Sequence, residues 1–295
     1  MIDLHMHSTC SDGMFSPAEL MEKVAAAGVT AAALTDHDVV NGCADFKSAA
    51  KKYGIMAVNG SELAVDCPGV SMEILALDIP DNNLAAFKEH QVKMIEERRR
   101  VAAERLELLN KIGINLAWKD VAFDKDGNPR NQIGKPHIVE AMLKAGYIAD
   151  WETGFAKYLN KGCPAYVAKR EPAVKDVISF IRENGAVPVL AHPIHTKLHG
   201  RELFELVSSL QKAGLTGIEV FHSDHTPDLR ADYLQMIESL GMITAGGSDF
   251  HGGAHPGVSI GTGKGDLRIP ELVLETLLER RMPSVAYYTD LQKFI

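Results

Sequence analysis

The chain has 295 residues, of which 46% are hydrophobic, and a formal net charge of −8. A chain of this size can bury a large core, as one domain or as one domain with an insertion, and its acidic balance argues against a general nucleic-acid scaffold. Cys10, Cys43, Cys67 and Cys163 form no CxxC pair, no apolar run reaches transmembrane length, and the first residues do not resemble a secretory leader. We therefore expect a soluble cytoplasmic protein.

The first dozen residues combine a short strand with a pattern of metal ligands. Apolar and polar residues alternate from Ile2 to His7, which predicts a strand. His5 and His7 then project from the same side of that strand, and Asp12 follows on a turn at Gly13. Two imidazoles followed by a carboxylate can begin a metal site. Two partly exposed histidines and a turn-capping aspartate would give the same pattern.

Strands and helices alternate through residues 1–78. A capping box at Ser16 and Glu19 predicts a helix to about residue 27, and a second helix is predicted over 43–53. The predicted strands are 31–34, which leads to His37, and 55–58, which leads to Glu62; the apolar stretch 70–77 contains Glu73. This rhythm predicts βα units and a mainly parallel sheet.

The rhythm breaks between about residues 80 and 170. A long helix is predicted over 84–112, with two shorter helices near 137–145 and 151–159. The expected buried residues of the long helix are Val92, Ile95, Ala102, Leu106 and Leu109. Residues 88–170 hold 16 Lys and Arg against 11 Asp and Glu, whereas the remainder holds 15 against 28. We therefore predict a helical insertion, residues 79–170, that caps the active site with positive charge, although a solvated helix face explains part of the charge.

The alternation resumes after residue 170. Helices are predicted over 173–184, 201–213, 228–240 and 270–280, the last helix of the chain, and strands over 187–191, 217–221 and 242–245. In a parallel α/β barrel the carboxyl ends of all strands lie on one face, where sites are built. Residues of ligand type that follow the predicted strands are therefore expected to converge there: His5, His7, His37, Glu62, His192, His222, Asp249 and His251.

Five motifs, in chain order HxH-x₄-DG, TDHD, GSE, LAHP and GSDFH, resemble the PHP (polymerase and histidinol phosphatase) family of amidohydrolase-like hydrolases. The resemblance covers roughly residues 1–78 and 171–290. It implies an α/β fold, a distorted, TIM-barrel-like (β/α)7 barrel, residues 1–78 and 171–295, that holds two or three divalent metals.

The resemblance also implies the ligands of each metal. One metal would lie on His5, His7, Glu62 and Asp249; a second would share Glu62 and take His192; a third would lie on Asp12, His37 and His251. Glu73 stands where many members have a histidine, so either a carboxylate is a ligand there or the second metal is weak or absent.

A mixed set of imidazoles and carboxylates suits Mn, Fe or Zn better than Mg or Ca, and we expect Mn. A metal-bridging water becomes hydroxide near neutral pH and can attack phosphorus in line, without a phosphoenzyme. The predicted catalytic residues are His192, Asp249 and His222. His192, His222 or a metal-bound water would protonate the leaving alkoxide, and the sequence does not choose among them.

Three residues of the insertion are candidate ligands of a second phosphate: Arg130, Lys135 and His137. Charge-assisted hydrogen bonds from such residues suit phosphate. An ordinary solvated loop followed by a helix start at Pro136 explains the same residues equally well.

The resemblance points to the PHP branch that removes the 3′-phosphate from 3′,5′-nucleotide bisphosphates, such as 3′,5′-adenosine bisphosphate, and leaves a 5′-nucleotide. The expected partner is a small phosphorylated nucleotide, with no membrane and no stable nucleic acid. Three alternatives remain: a histidinol phosphatase, a 5′→3′ exonuclease on short RNA, and a non-catalytic module that binds a nucleotide or a protein.

Overall fold

A computed structural model describes residues 1–124, 127–130, 133–254, 256–279 and 283–295. One sheet contains seven strands in the order of the chain: β1 Ile2–Asp3, β2 Ala31–Leu34, β3 Met56–Ala64, β4 Glu73–Leu77, β5 Val187–Leu190, β6 Gly217–His222 and β7 Ile243–Gly247. The chain divides into two compact units, the first formed by Met1–Lys88 and Glu171–Ile295 and the second by Glu89–Arg170.

The helices of the first unit cover the strands of the sheet: α1 Pro17–Ala26, α2 Cys43–Tyr53, α7 Val174–Glu183, α8 Gly200–Lys212, α9 Pro227–Leu240, α10 Glu271–Glu279 and α11 Val285–Leu291. Helix α3, Leu84–Lys111, begins in the first unit, and the boundary between the units falls inside it. The remaining helices belong to the second unit: α4 Trp118–Ala122, α5 Lys135–Lys144 and α6 Trp151–Gly154, which continues into a π-helical turn, Phe155–Leu159.

The sheet curves into a nearly closed barrel, which confirms the predicted fold class. Strands β1, β2 and β3 pair in parallel, as do β5, β6 and β7. The amide of Leu4 donates to Gly246 O at 3.1 Å and that of Asp249 to His5 O at 2.9 Å, so the first and last strands meet. The buried carboxylate of Asp3 holds this seam, because it accepts hydrogen bonds from the amides of Ser248 and Gly261.

Strand β4 is the exception to the parallel pattern, since it runs antiparallel to both β3 and β5. Its first residue, Glu73, pairs with Ala64 at the end of β3. The carboxyl ends of the parallel strands and the amino end of β4 therefore lie at the same edge of the sheet.

Local signals in the sequence account for several elements of the first unit. Ser16 and Glu19 form the predicted capping box at the start of α1, and α2 ends at Gly54, whose φ of 66° favours glycine. Two predictions were wrong. Strand β3 does not end near Val58 but continues to Ala64, and a further helix, α11, follows the one predicted to be last. Residue 280, the predicted end of that helix, lies outside the described residues.

The second unit has a hydrophobic core of its own, which includes Leu106, Leu109, Ile138 and Met142. Leu106, Leu109 and Ala102 are buried on α3, as predicted, whereas Val92 is 54% exposed. None of the helices in the described ranges combines the length and apolarity needed to span a bilayer.

Candidate metal centre

Nine predicted metal ligands and His222 gather at one edge of the sheet. His5 and His7 follow β1, His37 follows β2, Glu62 lies within β3, Glu73 begins β4, His192 follows β5, His222 ends β6, and Asp249 and His251 follow β7. Asp12 lies on the loop between β1 and α1. Glu73 reaches this edge only because β4 runs antiparallel to its neighbours.

Three groups of ligand atoms are close enough to share an ion, and the first is formed by His5, His7, Glu62 and Asp249. The Nε2 atoms of His5 and His7 each lie 3.3 Å from Glu62 Oε2, and they lie 3.4 and 3.2 Å from Asp249 Oδ1. All four residues are buried.

The second group contains His7, Asp12, His37 and His251, with His251 Nε2 3.3 Å from Asp12 Oδ1. The third contains His37, Glu62 and Glu73, with His37 Nδ1 3.1 Å from Glu62 Oε2. His7, His37 and Glu62 thus each belong to two groups.

The orientation of the ligand atoms in the first group fits a metal better than a hydrogen-bond network. His5 Nε2, His7 Nε2, Glu62 Oε2 and Asp249 Oδ1 are buried, and within the described ranges none has a hydrogen-bond partner of acceptable geometry. Ligands about 2.1 Å from an ion are themselves about 3.0 Å apart in an octahedron and about 3.4 Å apart in a tetrahedron. The observed separations match these values, so the donor set fits a divalent metal.

His192 lies beside two carboxylates of the third group, Glu62 and Glu73, and its role as a ligand of a second metal stays a prediction. Its Nε2 atom forms a 2.7 Å hydrogen bond with Glu62 Oε1 and lies 3.7 Å from Glu73 Oε2, and it joins none of the three groups. Its backbone φ of 23° is in the region that side chains rarely adopt, as is the φ of 57° at Asp249. Such strain just after a strand end is typical of functional residues.

Glu219 is a candidate functional residue that the sequence analysis missed. It is fully buried in β6, its Oε1 accepts a hydrogen bond from His5 Nδ1 at 3.1 Å, and its Oε2 accepts one from the amide of His192 at 2.8 Å. A proton held on Nδ1 leaves the Nε2 lone pair of His5 available to a metal. The available signal was a single carboxylate in the otherwise apolar run of β6.

Asp36 supports the loop after β1 and was also missed. Its carboxylate accepts hydrogen bonds from the amide of Ser8 at 2.7 Å, from Ser8 Oγ at 2.6 Å and from Ser11 Oγ at 2.6 Å. These bonds fix the segment that connects His7 to Asp12.

Mutual attraction between imidazoles and carboxylates shifts the pKa values of the centre. Burial alone lowers the pKa of His7, but the adjacent carboxylates of Asp249 and Glu62 raise it to about 10. Burial likewise lowers the pKa of His192, and Glu62 raises it to about 9. Burial raises the pKa values of Glu62 and Asp249, and the positive charge of His5 brings both below the usual range. Cations are therefore strongly favoured here.

His222 lies beside the first group but is a member of none of the three groups found among the described residues. Its Nδ1 atom accepts a hydrogen bond from the amide of Asp224, so the proton of the neutral ring resides on Nε2. Nε2 is buried 3.7 Å from Asp249 Oδ2 and has no hydrogen-bond partner in the part of the chain that the structure describes.

The three candidate phosphate ligands of the second unit have local partners. Arg130 donates from Nη2 to Glu140 Oε2 at 2.6 Å and from Nε to Phe123 O. His137 Nδ1 accepts a hydrogen bond from the amide of Gly134 at the start of α5, and Lys135 Nζ donates to Asn160 Oδ1 at 3.1 Å. Their role in binding phosphate stays a prediction.

Comparison with known proteins agrees with this chemistry. The model of the PHP domain matches residues 3–149. A 3′,5′-nucleoside bisphosphate phosphatase of Chromobacterium violaceum is 33% identical over 88% of this chain and 90% of that protein. A 5′-3′ exoribonuclease of Haemophilus influenzae is 29% identical over 84% of this chain and 89% of that protein. The crystal structure of a protein of Bifidobacterium adolescentis, provisionally assigned as a metal-dependent phosphoesterase, superimposes with a TM-score of 0.82 at 26% identity, over 97% of this chain and 98% of that one.

These likenesses extend over most of both chains, as the predicted family resemblance requires. The carboxylates and imidazoles at the strand ends supply the divalent-metal ligands that a metal-dependent hydrolase of phosphate esters needs. The chain therefore belongs to the PHP family and is a metal-dependent phosphoesterase.

Proposed function

We propose that the enzyme removes the 3′-phosphate from 3′,5′-nucleotide bisphosphates, such as 3′,5′-adenosine bisphosphate, and releases a 5′-nucleotide. The observation that carries this proposal is the relative of Chromobacterium violaceum, which is named for this activity and is 33% identical over 88% of the chain. The positive charge of residues 88–170, against an acidic remainder, supports a substrate with a second phosphate.

The three groups of ligand atoms would hold two or three divalent ions, with manganese the expected metal and iron or zinc compatible with the donors. Bound metals supply Lewis acidity and lower the pKa of coordinated water. The chain supplies the rest: Glu219 orients His5, and Asp36 fixes the loop before Asp12.

His222 is the proposed donor of a proton to the leaving 3′-oxygen of the ribose. The proton of its neutral ring lies on Nε2, which has no hydrogen-bond partner among the described residues, whereas His192 Nε2 forms a hydrogen bond with Glu62 Oε1 at 2.7 Å. Proton donation to an alkoxide leaving group contributes about 10²–10⁴-fold to such reactions.

A 5′→3′ exonuclease acting on short RNA is the second candidate, because the relative of Haemophilus influenzae is named for this activity at 29% identity. Both reactions would break the bond between phosphorus and the ribose 3′-oxygen with the same metals. They differ in whether that phosphate is a terminal monoester or a diester joined to the next nucleotide. A purely binding module fits poorly, since a site without catalysis has no use for ten converging ligands and donors.

A panel of substrates tests the assignment. Manganese-loaded enzyme would be supplied with 3′,5′-adenosine bisphosphate, 3′-AMP, 5′-AMP, histidinol phosphate and a short 5′-phosphorylated RNA, and released phosphate and nucleotides would be measured. We expect a kcat/KM at least about tenfold higher for the bisphosphate than for the monophosphates, since a second phosphate adds charge-assisted hydrogen bonds. Faster release of mononucleotides from RNA would favour the exonuclease, and faster turnover of histidinol phosphate would overturn the assignment.

Matched variants connect the activity to the centre. His7→Ala and Asp249→Ala should abolish turnover, because each removes a buried candidate ligand. His199→Ala and Asp228→Ala change exposed residues of the same types and should leave turnover unchanged.

A further inference from the structure

Asp224 connects the loops that follow three neighbouring strands. It lies two residues after the end of β6. Its Oδ2 atom accepts a hydrogen bond from His195 Nε2 at 2.9 Å, and its Oδ1 atom accepts one from Lys264 Nζ at 2.7 Å. His195 belongs to the 3₁₀ turn Pro193–Thr196 after β5, and Lys264 lies between β7 and α10. Side chains from the two adjacent loops therefore hold both oxygens of the carboxylate.

The main chain of Asp224 contacts the ring of His222. The amide of Asp224 donates a hydrogen bond to His222 Nδ1 at 3.1 Å. In a neutral imidazole the nitrogen that accepts a hydrogen bond carries no proton, so the proton lies on the other nitrogen. His222 is buried, whereas the side chain of Asp224 is 33% exposed. A partly exposed carboxylate thus anchors the amide that sets the tautomer of a buried ring.

The other neighbours of His222 fix the plane of its ring but not the position of its proton. The rings of His192, His195 and His225 lie with their centroids 5.5, 5.8 and 5.1 Å from that of His222. Within the described ranges, the bond from the amide of Asp224 is the one hydrogen bond that the ring makes. The choice between the two tautomers therefore depends on that amide.

We propose that Asp224 is a positioning residue, whose anchored carboxylate holds its amide against His222 and so keeps a proton on Nε2. That atom lies 3.7 Å from Oδ2 of Asp249, a member of the first group. In the other tautomer Nε2 would accept a hydrogen bond instead of donating one, and a misplaced catalytic group costs up to about 10²-fold in rate. The use of the proton for the leaving 3′-oxygen rests on the proposed function; the control of the tautomer does not.

Nitrogen NMR of zinc-loaded enzyme with ¹⁵N-labelled histidine tests the positioning, because the two ring nitrogens report which of them carries the proton. The signals of His222 are assigned by their loss in His222→Gln. We expect the Nε2–H tautomer in the unaltered enzyme and a mixture of both tautomers in Asp224→Ala. Asp224→Asn should keep the Nε2–H tautomer, since its amide can still accept from Lys264 and donate to His195. Asp228→Ala, which changes an exposed aspartate of α9, is the matched control and should change nothing.

Steady-state kinetics of the manganese-loaded enzyme tests whether the tautomer serves the reaction. With 3′,5′-adenosine bisphosphate, Asp224→Ala should lower kcat by about tenfold or more and change KM by less than about twofold, because proton donation acts in the transition state. Asp224→Asn should restore most of the kcat. Lys264→Met removes one of the two anchors, from a side chain that is 56% exposed, and should move both readouts in the same direction by less. It serves as the test if Asp224→Ala does not fold.

An unchanged Nε2–H tautomer of His222 in both Asp224→Ala and Lys264→Met would overturn the positioning, whatever substrate the enzyme prefers. A mixture of tautomers with an unchanged kcat would support the control of the tautomer by Asp224 and overturn its use in proton donation. If the bisphosphate is not turned over at all, the proposed function fails, and the NMR comparison still decides whether Asp224 positions His222.

Discussion

Glu219 shows how one buried side chain can control a centre it does not join. Its carboxylate accepts a hydrogen bond from Nδ1 of the His5 ring at 3.1 Å and another from the backbone amide of His192 at 2.8 Å. A carboxylate behind a ligating histidine fixes the tautomer and the direction of the free lone pair. The metal affinity of His5 therefore depends on a residue in the middle of β6.

Replacement of Glu219 by glutamine should lower the metal affinity of the group that contains His5 by about 10–100-fold, the usual effect of losing a hydrogen-bond partner behind a ligand. The amide has one acceptor atom where the carboxylate has two, so it cannot serve both hydrogen bonds. Competition with a chromogenic chelator would measure the affinity. Glu238→Gln on the exposed side of α9 is the matched control; equal affinities in the two variants would contradict the role of Glu219.

The pKa shifts predict that a rise in pH destabilises the metal-free enzyme more than the metal-loaded enzyme. Without metal, the pKa values of His7 and His192 are raised from about 6.5 to about 10 and about 9. Since protonation favours the folded state, this stabilisation is complete below about pH 6.5 and is lost as the pH rises through 9 to 10. Metals must displace these protons, so their affinity rises over the same range.

Thermal unfolding would separate the two effects. Between pH 7 and 10 the melting temperature of the metal-stripped enzyme should fall, whereas that of the metal-loaded enzyme should fall less. His7→Gln removes one of the groups whose pKa is raised. In the metal-stripped enzyme it should therefore make the melting temperature fall less steeply with pH. A metal-stripped enzyme that gains stability toward pH 10 would show that the histidines are neutral in the fold.

At the scale of elements, the junction of β1 and β7 positions half of the first metal group. His5 follows β1 and Asp249 follows β7, and the bond from Asp249 N to His5 O links the two directly. A Cβ atom at Gly247 would collide with the Cβ and backbone nitrogen of His5. The strands approach this closely only because residue 247 has no side chain.

Gly247→Ala should therefore destabilise the enzyme by about 3 kcal/mol, at the upper end of the usual cost of overpacking, and should lower the metal content because His5 is displaced. Urea denaturation and metal analysis would measure both. Gly134→Ala is the comparison, since a Cβ there meets only Pro136 Cδ, at 3.3 Å. Full metal occupancy in Gly247→Ala would show that β1 can move without loss of the centre.

Across the whole molecule, features that depend on residues close together in the sequence were predicted well. Features that depend on contacts between residues far apart in the sequence were not. Alternation of strands and helices predicted βα units and a mainly parallel sheet, and histidines and carboxylates at strand ends predicted that His7 and Asp249 come together. The closed barrel itself was implied by the family resemblance. The reversed direction of β4 depends on pairing with β3 and β5, and β5 lies about 110 residues later, so no local pattern contains it. Glu219 was missed for the same reason, since its partners His5 and His192 are remote in the chain.

The second unit shows the same limit for polar contacts and for burial. Arg130, Lys135 and His137 are predicted phosphate ligands because they are basic residues in a loop that leads into a helix, and the sequence did not indicate that Arg130 pairs with Glu140 or that His137 accepts a hydrogen bond from Gly134. Arg105 lies on α3, 30 residues before Lys135, and nothing in its local sequence distinguishes it from exposed arginines of the same helix. Arg105 differs from those arginines in being buried. Sequence periodicity predicts burial only for apolar residues, so it does not single out a buried arginine.

The division of the chain into two units leads to a last prediction. Every candidate metal ligand belongs to Met1–Lys88 or Glu171–Ile295, whereas Glu89–Arg170 has a separate hydrophobic core. Chelation should therefore reduce amide protection at the ends of the strands, most of all in the segment from Ser8 to Asp12, and leave α5 unchanged. Hydrogen exchange followed by mass spectrometry would test this, with refilling by manganese as the control for reversibility. A loss of protection in α5 after chelation would mean that the second unit depends on the metals for its folding.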